Sequence, residues 1–363
     1  MTDESTASPD PAALLDDPAR LGDLDPGGML GHVARLGQQL RAGYRSAKET
    51  AELPSGRDVG TVVICGMGAS GLGGDVFRSL YAARARVPIV VCKGYELPEF
   101  CGRDSLVIAM SFSGDTEETL AAYGEAVSRG CRVVAVSAAG ELRIRSGEDD
   151  VPHVSIPADV PVPRAALGYL AAAPIGVLES AGVIPPAGRT VEAAAALVDG
   201  LAGRLGPDRP LASNPMKELA AWIGHRHPVV WASEGLGEAA ALRFKNQVNE
   251  NAKRPAFVAT FPELDHNDIE GWSAASGAGF ALIVLRNRGE HVRVAARVEA
   301  TFEAIAASGL EWRQVWGEGS SPIEQLFSLI VLGDFASTYL ALLLGVDPTP
   351  IPVLTSLKER LRG

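Results

Sequence analysis

Short apolar segments that alternate with helical segments constrain the fold of this chain most strongly. In the first half, apolar runs predict strands at residues 61–66, 87–92, 105–111 and 131–137. Helical patterns near residues 72–84 and 116–129 lie between these runs, and two Ala-rich helical stretches follow near residues 164–180 and 190–204. Strands that alternate with helices of about 10–15 residues are typical of a parallel sheet with helices on both faces.

The same alternation returns after a connector at residues 206–215. It predicts strands at 228–233, 280–286 and 312–316, and helices at 235–251, 291–308, 322–344 and 353–361. The chain is therefore predicted to be an α/β protein with two doubly wound parallel-sheet halves, residues 56–210 and 211–363. Residues 1–55 are predicted to form an irregular arm, to about residue 27, and then a helix from about residue 28 to residue 53.

The charge balance and the cysteine content restrict the class of protein. There are 33 Lys and Arg residues against 44 Asp and Glu, a net charge of −11, which disfavours nucleic-acid binding. No segment reaches the roughly 20 apolar residues of a membrane span, and the acidic N-terminus lacks the apolar region of a signal peptide. The four cysteines have no spacing suited to zinc. We therefore expect a cytoplasmic protein without disulfides, metal, membrane contact or nucleic-acid partner.

The first glycine-rich turn has to be weighed as a dinucleotide site. Gly66-Met-Gly-Ala-Ser-Gly71 satisfies the GxGxxG pattern after a strand and before a helix. A dinucleotide fold also needs an acidic residue at the end of the second strand, to bind the ribose. That strand ends here in Cys92-Lys93-Gly94, and the nearest acid is Glu96. The departure disfavours a dinucleotide, and no cofactor is predicted.

A second turn carries hydroxyl groups at the end of another predicted strand. Ser111, Ser113 and Thr116 surround a glycine just before a helix, where hydroxyls and helix N–H groups can hold a phosphate. The acidic residues in this turn also suit the start of a helix, so a capped helix without a ligand is the alternative. Two such turns after strands of one parallel sheet would lie at the same carboxyl edge, where ligands bind. This placement favours a phosphate site.

Several motifs together resemble a known family. GMGASGLGGD and SFSGDTEETL resemble the signatures of sugar isomerase (SIS) domains. RFKNQVNENAK, ELDHNDIEGW and the ending ALLLGVDPTPIPVLTSLKERL resemble the bifunctional phosphoglucose/phosphomannose isomerases. The family usually has Gly where Ala69 stands, and its second turn more often reads Ser-Tyr-Ser-Gly-Asn. The resemblance covers the chain from about Gly60 onward and implies two three-layer αβα SIS subdomains with C-terminal helices.

The resemblance also implies roles for particular residues. The substrate phosphate would be bound by Gly68, Ala69, Ser70, Ser111, Ser113 and Thr116. The catalytic residues would be Glu250 as the proton-transferring base, His266 as the ring-opening acid/base reaching into the neighbouring subunit's site, Lys358 assisting ring opening, and Arg164 near the enediolate. From the residues alone, an ordinary surface or loop position is favoured for Glu250, His266 and Lys358, and it is equally compatible with Arg164.

The implied function is that of a metal-independent aldose–ketose isomerase. It would interconvert fructose 6-phosphate with glucose 6-phosphate, mannose 6-phosphate or both through an enediolate, as a homodimer. Two alternatives stay open: a non-catalytic SIS regulator that binds a sugar phosphate, and an isomerase of an amino-sugar or pentose phosphate. Regulators of this type usually carry a helix-turn-helix partner, and none is evident in the first 55 residues.

Overall fold

The computed structural model describes residues 11–272 and 279–361. The strands are β1 (Thr61–Cys65), β2 (Ile89–Cys92), β3 (Ser105–Met110), β4 (Arg132–Ser137), β5 (His153–Ser155), β6 (His227–Ser233), β7 (Phe257–Phe261), β8 (Phe280–Arg286) and β9 (Trp312–Trp316). The helices are α1 (Pro11–Leu15), α2 (Pro18–Leu24), α3 (Met29–Ala34), α4 (Leu36–Glu49), α5 (Gly68–Tyr81), α6 (Glu117–Ser128), α7 (Glu141–Glu148), α8 (Leu167–Ser180), α9 (Gly188–Leu205), α10 (Pro215–Ile223), α11 (Leu236–Asn251), α12 (Val292–Ala304), α13 (Pro322–Leu343) and α14 (Pro352–Leu361).

The first sheet is parallel and has the strand order β2-β1-β3-β4-β5. Thr61 of β1 is registered with Ser105 of β3, so these strands are neighbours although β2 lies between them in sequence. The chain leaves β1 toward one side of the sheet and β3 toward the other. The boundary between β1 and β3 is therefore the topological switch point, where ligands bind in such sheets.

The second sheet repeats this arrangement with the order β7-β6-β8-β9, again all parallel. Its switch point lies between β6 and β8 and is filled by the protein's own side chains. Asn287 donates a hydrogen bond to Ser233 Oγ (2.9 Å), and the backbone N–H of Gly289 donates to Asn287 Oδ1 (3.0 Å). The polar groups at the second switch point are thus already bonded to one another.

Helices cover both faces of each sheet. α6 and α7 pack on the outer face of the first sheet, and α12 packs on the outer face of the second. Between the two sheets, α4, α5, α8, α9, α11 and α13 share one large apolar core. Because the central strands are buried on both faces, their sequences are continuously apolar. The predicted α/β fold with two doubly wound parallel sheets is confirmed.

α13 is the most buried helix of the shared core. By length and composition alone it could cross a membrane, but 94% of its most apolar window is buried inside the protein. Ser321 and Glu324 form a reciprocal capping box at its start, with Pro322 in the first turn. A helix that is apolar all round and packed on every side is a core helix.

The N-terminal segment differs from the prediction of an irregular arm. Residues 11–24 form α1 and α2, and Leu15 and Leu21 are fully buried. Asp17 caps α2 by accepting from the N–H groups of Ala19 and Arg20, and Pro18 occupies the first helical position. The high content of Asp and Pro predicted an irregular chain. Some of these residues, such as Asp17 and Pro18, instead mark the start of a helix. Residues 1–10 of the predicted arm lie outside the described residues.

Other elements also differ from the prediction. The predicted pattern lacked α7, α10, β5 and β7; β5 has only three residues, and β7 is an edge strand with exposed Phe257 and Val258. α5 begins at Gly68, four residues before the predicted start, although glycine disfavours helices. Close packing explains this, because a Cβ at Gly73 would lie 2.6 Å from the carbonyl oxygen of Leu170.

Candidate active site

Two loops meet at the switch point of the first sheet. The first loop, residues 66–71, follows β1, and the second loop, residues 111–116, follows β3. The backbone N–H of Phe112 donates to Ser70 Oγ (3.2 Å), which joins the two loops directly. The loops therefore lie side by side at one sheet edge, as the strand order dictates.

The second loop is held in shape by its own hydroxyl groups. Ser111 Oγ lies 2.8 Å from Thr116 Oγ1, and the backbone N–H of Gly114 donates to Ser111 Oγ (3.1 Å). Gly114 has φ +82°, and a Cβ there would lie 1.8 Å from the carbonyl oxygen of Ala139. Only glycine fits that position. The base of the loop is thus fixed, while Ser113 stays exposed.

Both loops lead into the N-terminus of a helix. The N–H groups of a first helical turn have no intrahelical acceptor, and they carry partial positive charge. In the first loop Gly68 takes the left-handed backbone (φ +51°), whereas Ala69 lies within the first turn of α5. The position that usually holds glycine in the family therefore does not need it here. Together the two helix ends and the loop hydroxyls offer a set of donors suited to an anion.

Lys93 is a cation beside the first loop that sequence reasoning did not assign to the site. It directly follows β2, and its Cε lies 3.1 Å from the place that a Cβ on Gly71 would take. Its ammonium forms an ion pair with the buried carboxylate of Asp75 in α5. One sequence signal could have placed Lys93 at the site. It directly follows a strand that neighbours β1, at the position where a dinucleotide fold would have an acidic residue.

Arg164 and Glu250 form an ion pair, with 3.3 Å between Nη1 and Oε2. Arg164 lies in a short 3-10 helix (Pro163–Ala166) that packs on α5, and it is only 3% exposed. Glu250 lies near the end of α11, with 31% of its side chain exposed. Arg164 is therefore not a surface residue, and it contacts a carboxylate that remains accessible to a ligand.

Hydrogen bonds to backbone and side-chain oxygens hold the Arg164 guanidinium in place. Its Nε donates to Asn251 Oδ1 (3.0 Å), and its Nη2 donates to the carbonyl oxygens of Pro348 (2.5 Å) and Thr349 (3.0 Å). Burial lowers the pKa of Arg164, while the charge of Glu250 opposes that shift. Among the described residues these contacts and the bond to Glu250 use four of its five N–H groups, which leaves one Nη1–H for a further acceptor.

A second buried ion pair lies behind Arg164. Arg243 binds Asp334 through two hydrogen bonds of 2.8 and 2.9 Å, and its Nη2 donates to the carbonyl oxygen of Arg164 (2.9 Å). Burial raises the pKa of Asp334, and the Arg243 charge opposes this rise. Asn251 is fixed from the same side, because its Nδ2 donates to Ser337 Oγ of α13 (3.1 Å). The pair and Asn251 therefore position Arg164 from α11 and α13.

Lys253 joins the end of α11 to the segment before α14. Its Nζ lies within hydrogen-bond distance of four carbonyl oxygens, which its three N–H groups share: Glu250 (2.5 Å), Asn251 (3.2 Å), Asp347 (3.1 Å) and Pro348 (3.2 Å). Partial burial of the ammonium, with the Arg164 charge nearby, lowers the pKa of Lys253 to about 8. Glu250 and Lys253 line one wall of a cleft of about 380 Å³, and its opposite wall is the apolar segment 351–354. Sequence reasoning missed Lys253, Asn251 and this cleft.

The structure does not bring His266 and Lys358 to the same place as Glu250. His266 is exposed in a short 3-10 helix (Glu263–His266) after β7, at the carboxyl edge of the second sheet. α11 runs back from the carboxyl edge to the amino edge, and its 16 residues span about 24 Å. Glu250 near its end is thus at the opposite edge from His266. Lys358 lies on α14, whose residues are all exposed.

The described parts of the chain contain no cluster of three or more His, Cys, Asp or Glu side chains that could hold a metal ion. The two loops, by contrast, have the donors for a phosphate, and the Arg164–Glu250 pair has a base and a cation in contact. A carboxylate and a cation in contact are groups that can move a proton and stabilise a developing negative charge.

Comparisons with known proteins show the family of this chain. Residues 212–361 match the family described as the bacterial phospho-glucose isomerase C-terminal SIS domain. A bifunctional phosphoglucose/phosphomannose isomerase from Caldicellulosiruptor bescii is 32% identical over 335 residues, 92% of this chain and 98% of that protein. An enzyme of the same name from Thermoplasma acidophilum is 34% identical, covering 83% and 89%. A hypothetical protein from Thermus thermophilus has the same fold, with TM-score 0.75 and 18% identity over 96% and 94% of the two chains. The chain belongs to the family of the bifunctional phosphoglucose/phosphomannose isomerases.

Proposed function

We propose that this protein interconverts fructose 6-phosphate with glucose 6-phosphate, mannose 6-phosphate or both, without a metal ion. The contact between Glu250 and Arg164 carries the proposal, because aldose–ketose isomerisation needs a base and a stabiliser of the enediolate oxygens. The names of the relatives support these two substrates.

The substrate phosphate binds between the first and second loops. Ser70 and Thr116 hydroxyls and the first-turn N–H groups of α5 and α6 are the donors. Ser70 Oγ accepts from Phe112, so its own hydroxyl proton is free to be donated to a phosphate oxygen. Gly68, Ala69, Ser111 and Ser113 complete the loops. The 3-10 helix of Arg164 packs on α5, so a sugar held by its phosphate there extends toward Arg164.

Glu250 carries the proton between the two carbons of the sugar. Its carboxylate removes the proton from C2 of the open-chain aldose, and the electron pair moves to form the enediolate with negative charge on O1. The remaining Nη1–H of Arg164 stabilises that charge. A proton then passes from O2 to O1, and Glu250 returns the abstracted proton to C1 as the C2 carbonyl forms; the product is the ketose, and no atom is gained or lost.

Ring opening requires a second subunit in this proposal. His266 and Glu250 of one chain lie at opposite edges of the second sheet, so His266 acts in the partner's site of a homodimer. The exposure of His266 supports a role at a subunit interface. Lys358 assists at the ring oxygen from α14, whose first residues border the cleft beside Glu250.

We also propose the division of the chain into residues 1–55, 56–210 and 211–363, with the site between the two halves. The family match to residues 212–361 supports the second boundary. A cytoplasmic location fits the four free cysteines.

A proton NMR time course on fructose 6-phosphate with EDTA present tests the proposal. The wild-type protein should form an aldose 6-phosphate, whose anomeric signals identify the epimer. Glu250→Gln should abolish turnover while calorimetric binding of fructose 6-phosphate is largely kept. Glu303→Gln on the exposed face of α12 is the control and should be fully active. Full activity of Glu250→Gln would overturn the role of Glu250, and binding without turnover by the wild type would favour a sugar-phosphate regulator.

A further inference from the structure

All four cysteines lie in one cluster on the outer face of the first sheet. Cys65 and Cys101 belong to its buried part, and Cys92 and Cys131 pack against them. All four thiols are free. Two of them occupy a special position, because Cys65 is the last residue of β1, Cys92 is the last residue of β2, and the two are registered partners in the parallel ladder.

The ladder geometry fits a disulfide between Cys65 and Cys92. Neighbouring strands lie about 4.7–4.9 Å apart, within the roughly 4.4–6.8 Å that separates the Cα atoms of bonded cysteines. Both side chains belong to the same apolar cluster, so they point to the same face of the sheet. Each thiol perturbs the pKa of the other, which agrees with their side-by-side placement in the ladder.

The two thiols differ in exposure and in charge. Cys65 is 1% exposed, whereas Cys92 is partly exposed and its thiol donates a hydrogen bond to the carbonyl oxygen of Glu96 (3.2 Å). The neighbouring Cys65 thiol lowers the pKa of Cys92 to about 7, and the neighbouring Cys92 thiol together with burial raises the pKa of Cys65. Burial raises the pKa of Cys101 to about 11. Cys92 is therefore the reactive thiol, since thiolates are the nucleophiles.

We propose that Cys92 is a modification site for low-molecular-weight disulfides and that Cys65 resolves the adduct into an intramolecular disulfide. The Cys92 thiolate attacks one sulfur of the reagent RSSR, forms Cys92–S–S–R and releases RS⁻. Cys65 gives up its proton and attacks the Cys92 sulfur, which breaks the mixed disulfide and releases the second RS⁻. The two protein thiols are oxidised, RSSR is reduced to two thiols, and the two protons are taken up by the released thiolates or by water.

The modification would act on the loop that the proposed function assigns to phosphate, and this consequence alone rests on that proposal. Gly66 of the first loop directly follows Cys65, and Lys93 directly follows Cys92. Lys93 lies against Gly71 and pairs with Asp75 of α5. A covalent bond that draws the ends of β1 and β2 together would therefore shift both the loop and its neighbouring cation, and raise the KM for fructose 6-phosphate.

The test uses the full chain and 5,5′-dithiobis(2-nitrobenzoate), an aromatic disulfide, at neutral pH. The wild-type protein should release two thionitrobenzoate anions in a fast phase, keep no adduct and lose the mass of two hydrogen atoms. Peptide mapping should then find Cys65 joined to Cys92. Cys65→Ser should release one anion in that phase and keep the adduct on Cys92. Cys92→Ser should slow the fast phase by at least about tenfold, because burial raises the pKa values of Cys101 and Cys131 and Cys65 is only 1% exposed. Cys101→Ser is the matched control and should react as the wild type does.

The proposal fails if Cys92→Ser reacts at the wild-type rate, or if the wild type retains the adduct as Cys65→Ser does. Mapping of the wild-type protein decides the question even where a variant folds poorly. These readouts need no substrate, so they stand or fall independently of the isomerase reaction. The KM effect is measured separately, before and after reduction with dithiothreitol.

Discussion

Replacement of Asp334 by alanine should destabilise the protein strongly, because it leaves a buried cation without its partner. The side chains of Arg243 and Asp334 are 4% and 3% exposed, and two hydrogen bonds join them. Breaking a buried pair of this kind by removing one member costs about 3–5 kcal/mol. The loss should extend to activity, since Arg243 also donates to the carbonyl oxygen of Arg164.

The expected shift in melting temperature follows from the size of the chain. Unfolding entropy of about 2.1 cal/mol/K per residue, over 363 residues, gives about 0.76 kcal/mol/K. A loss of 3–5 kcal/mol then lowers Tm by about 4–7 °C. Differential scanning calorimetry of Asp334→Ala and the wild type at one pH measures this shift.

Two further variants make the result decisive. Glu141→Gln removes the carboxylate of an exposed pair with Arg145, whose side chains are 42% and 45% exposed, and should change Tm by less than about 1 °C. The double variant Arg243→Met with Asp334→Leu removes both charges and should recover most of the lost stability. A Tm of Asp334→Ala within about 1 °C of the wild type, or a double variant as unstable as the single one, would refute the reasoning.

Three other predictions concern stability and turnover. His153 Nε2 lies 2.8 Å from Ser137 Oγ, and burial followed by the Arg143 charge lowers the His153 pKa to about 4, from 6.5 in the unfolded chain. The contribution of neutral His153 to the free energy of unfolding is therefore complete above pH 6.5 and is lost as the pH falls toward 4. In His153→Asn, the free energy of unfolding should decrease less over this pH range, by up to about 3 kcal/mol, in denaturant titrations at each pH. Lys253→Met should lower kcat about tenfold in steady-state assays, because the segment after Val346 is released from α11. Thr116→Val should raise the KM for fructose 6-phosphate about tenfold and change kcat less.

The strands with the clearest sequence signal are those with long, continuous apolar runs. β1, β3 and β8 are buried on both faces, so their composition alone marks them as central parallel strands. β7 lacks that signal, because it is an edge strand with exposed Phe257 and Val258, and it was not predicted. α10 begins at Asn214-Pro215, a cap and first-turn proline that resemble a connector when the helix they start is short.

The candidate site also has parts that the local sequence predicts and parts that depend on contacts between distant residues. The two loops are local, since each is a few residues next to its own strand. The contact of Arg164 with Glu250 joins residues 86 positions apart, and the spacing of apolar residues along the sequence does not predict such a contact. The contacts of Lys253 with the segment before α14 are of the same kind, separated by 94 positions or more. Only the packing of α5, α11 and α13 in one core brings these groups together.

The net charge of −11 also bears on how an anionic substrate could be attracted to the site. Lys93 is paired with Asp75, and Arg164 is paired with Glu250, so neither cation is free to attract a dianion over distance. Exposed charges are screened beyond about 8–10 Å in any case. In the proposed function, phosphate recognition therefore rests on short-range donors, the helix N–H groups and hydroxyls of the two loops.

The ion pair of Arg164 with Glu250 also has a use in the proposed mechanism. Glu250 would lose its charge when it takes up the substrate proton, and the guanidinium would then become available to the enediolate at the moment that the negative charge develops there.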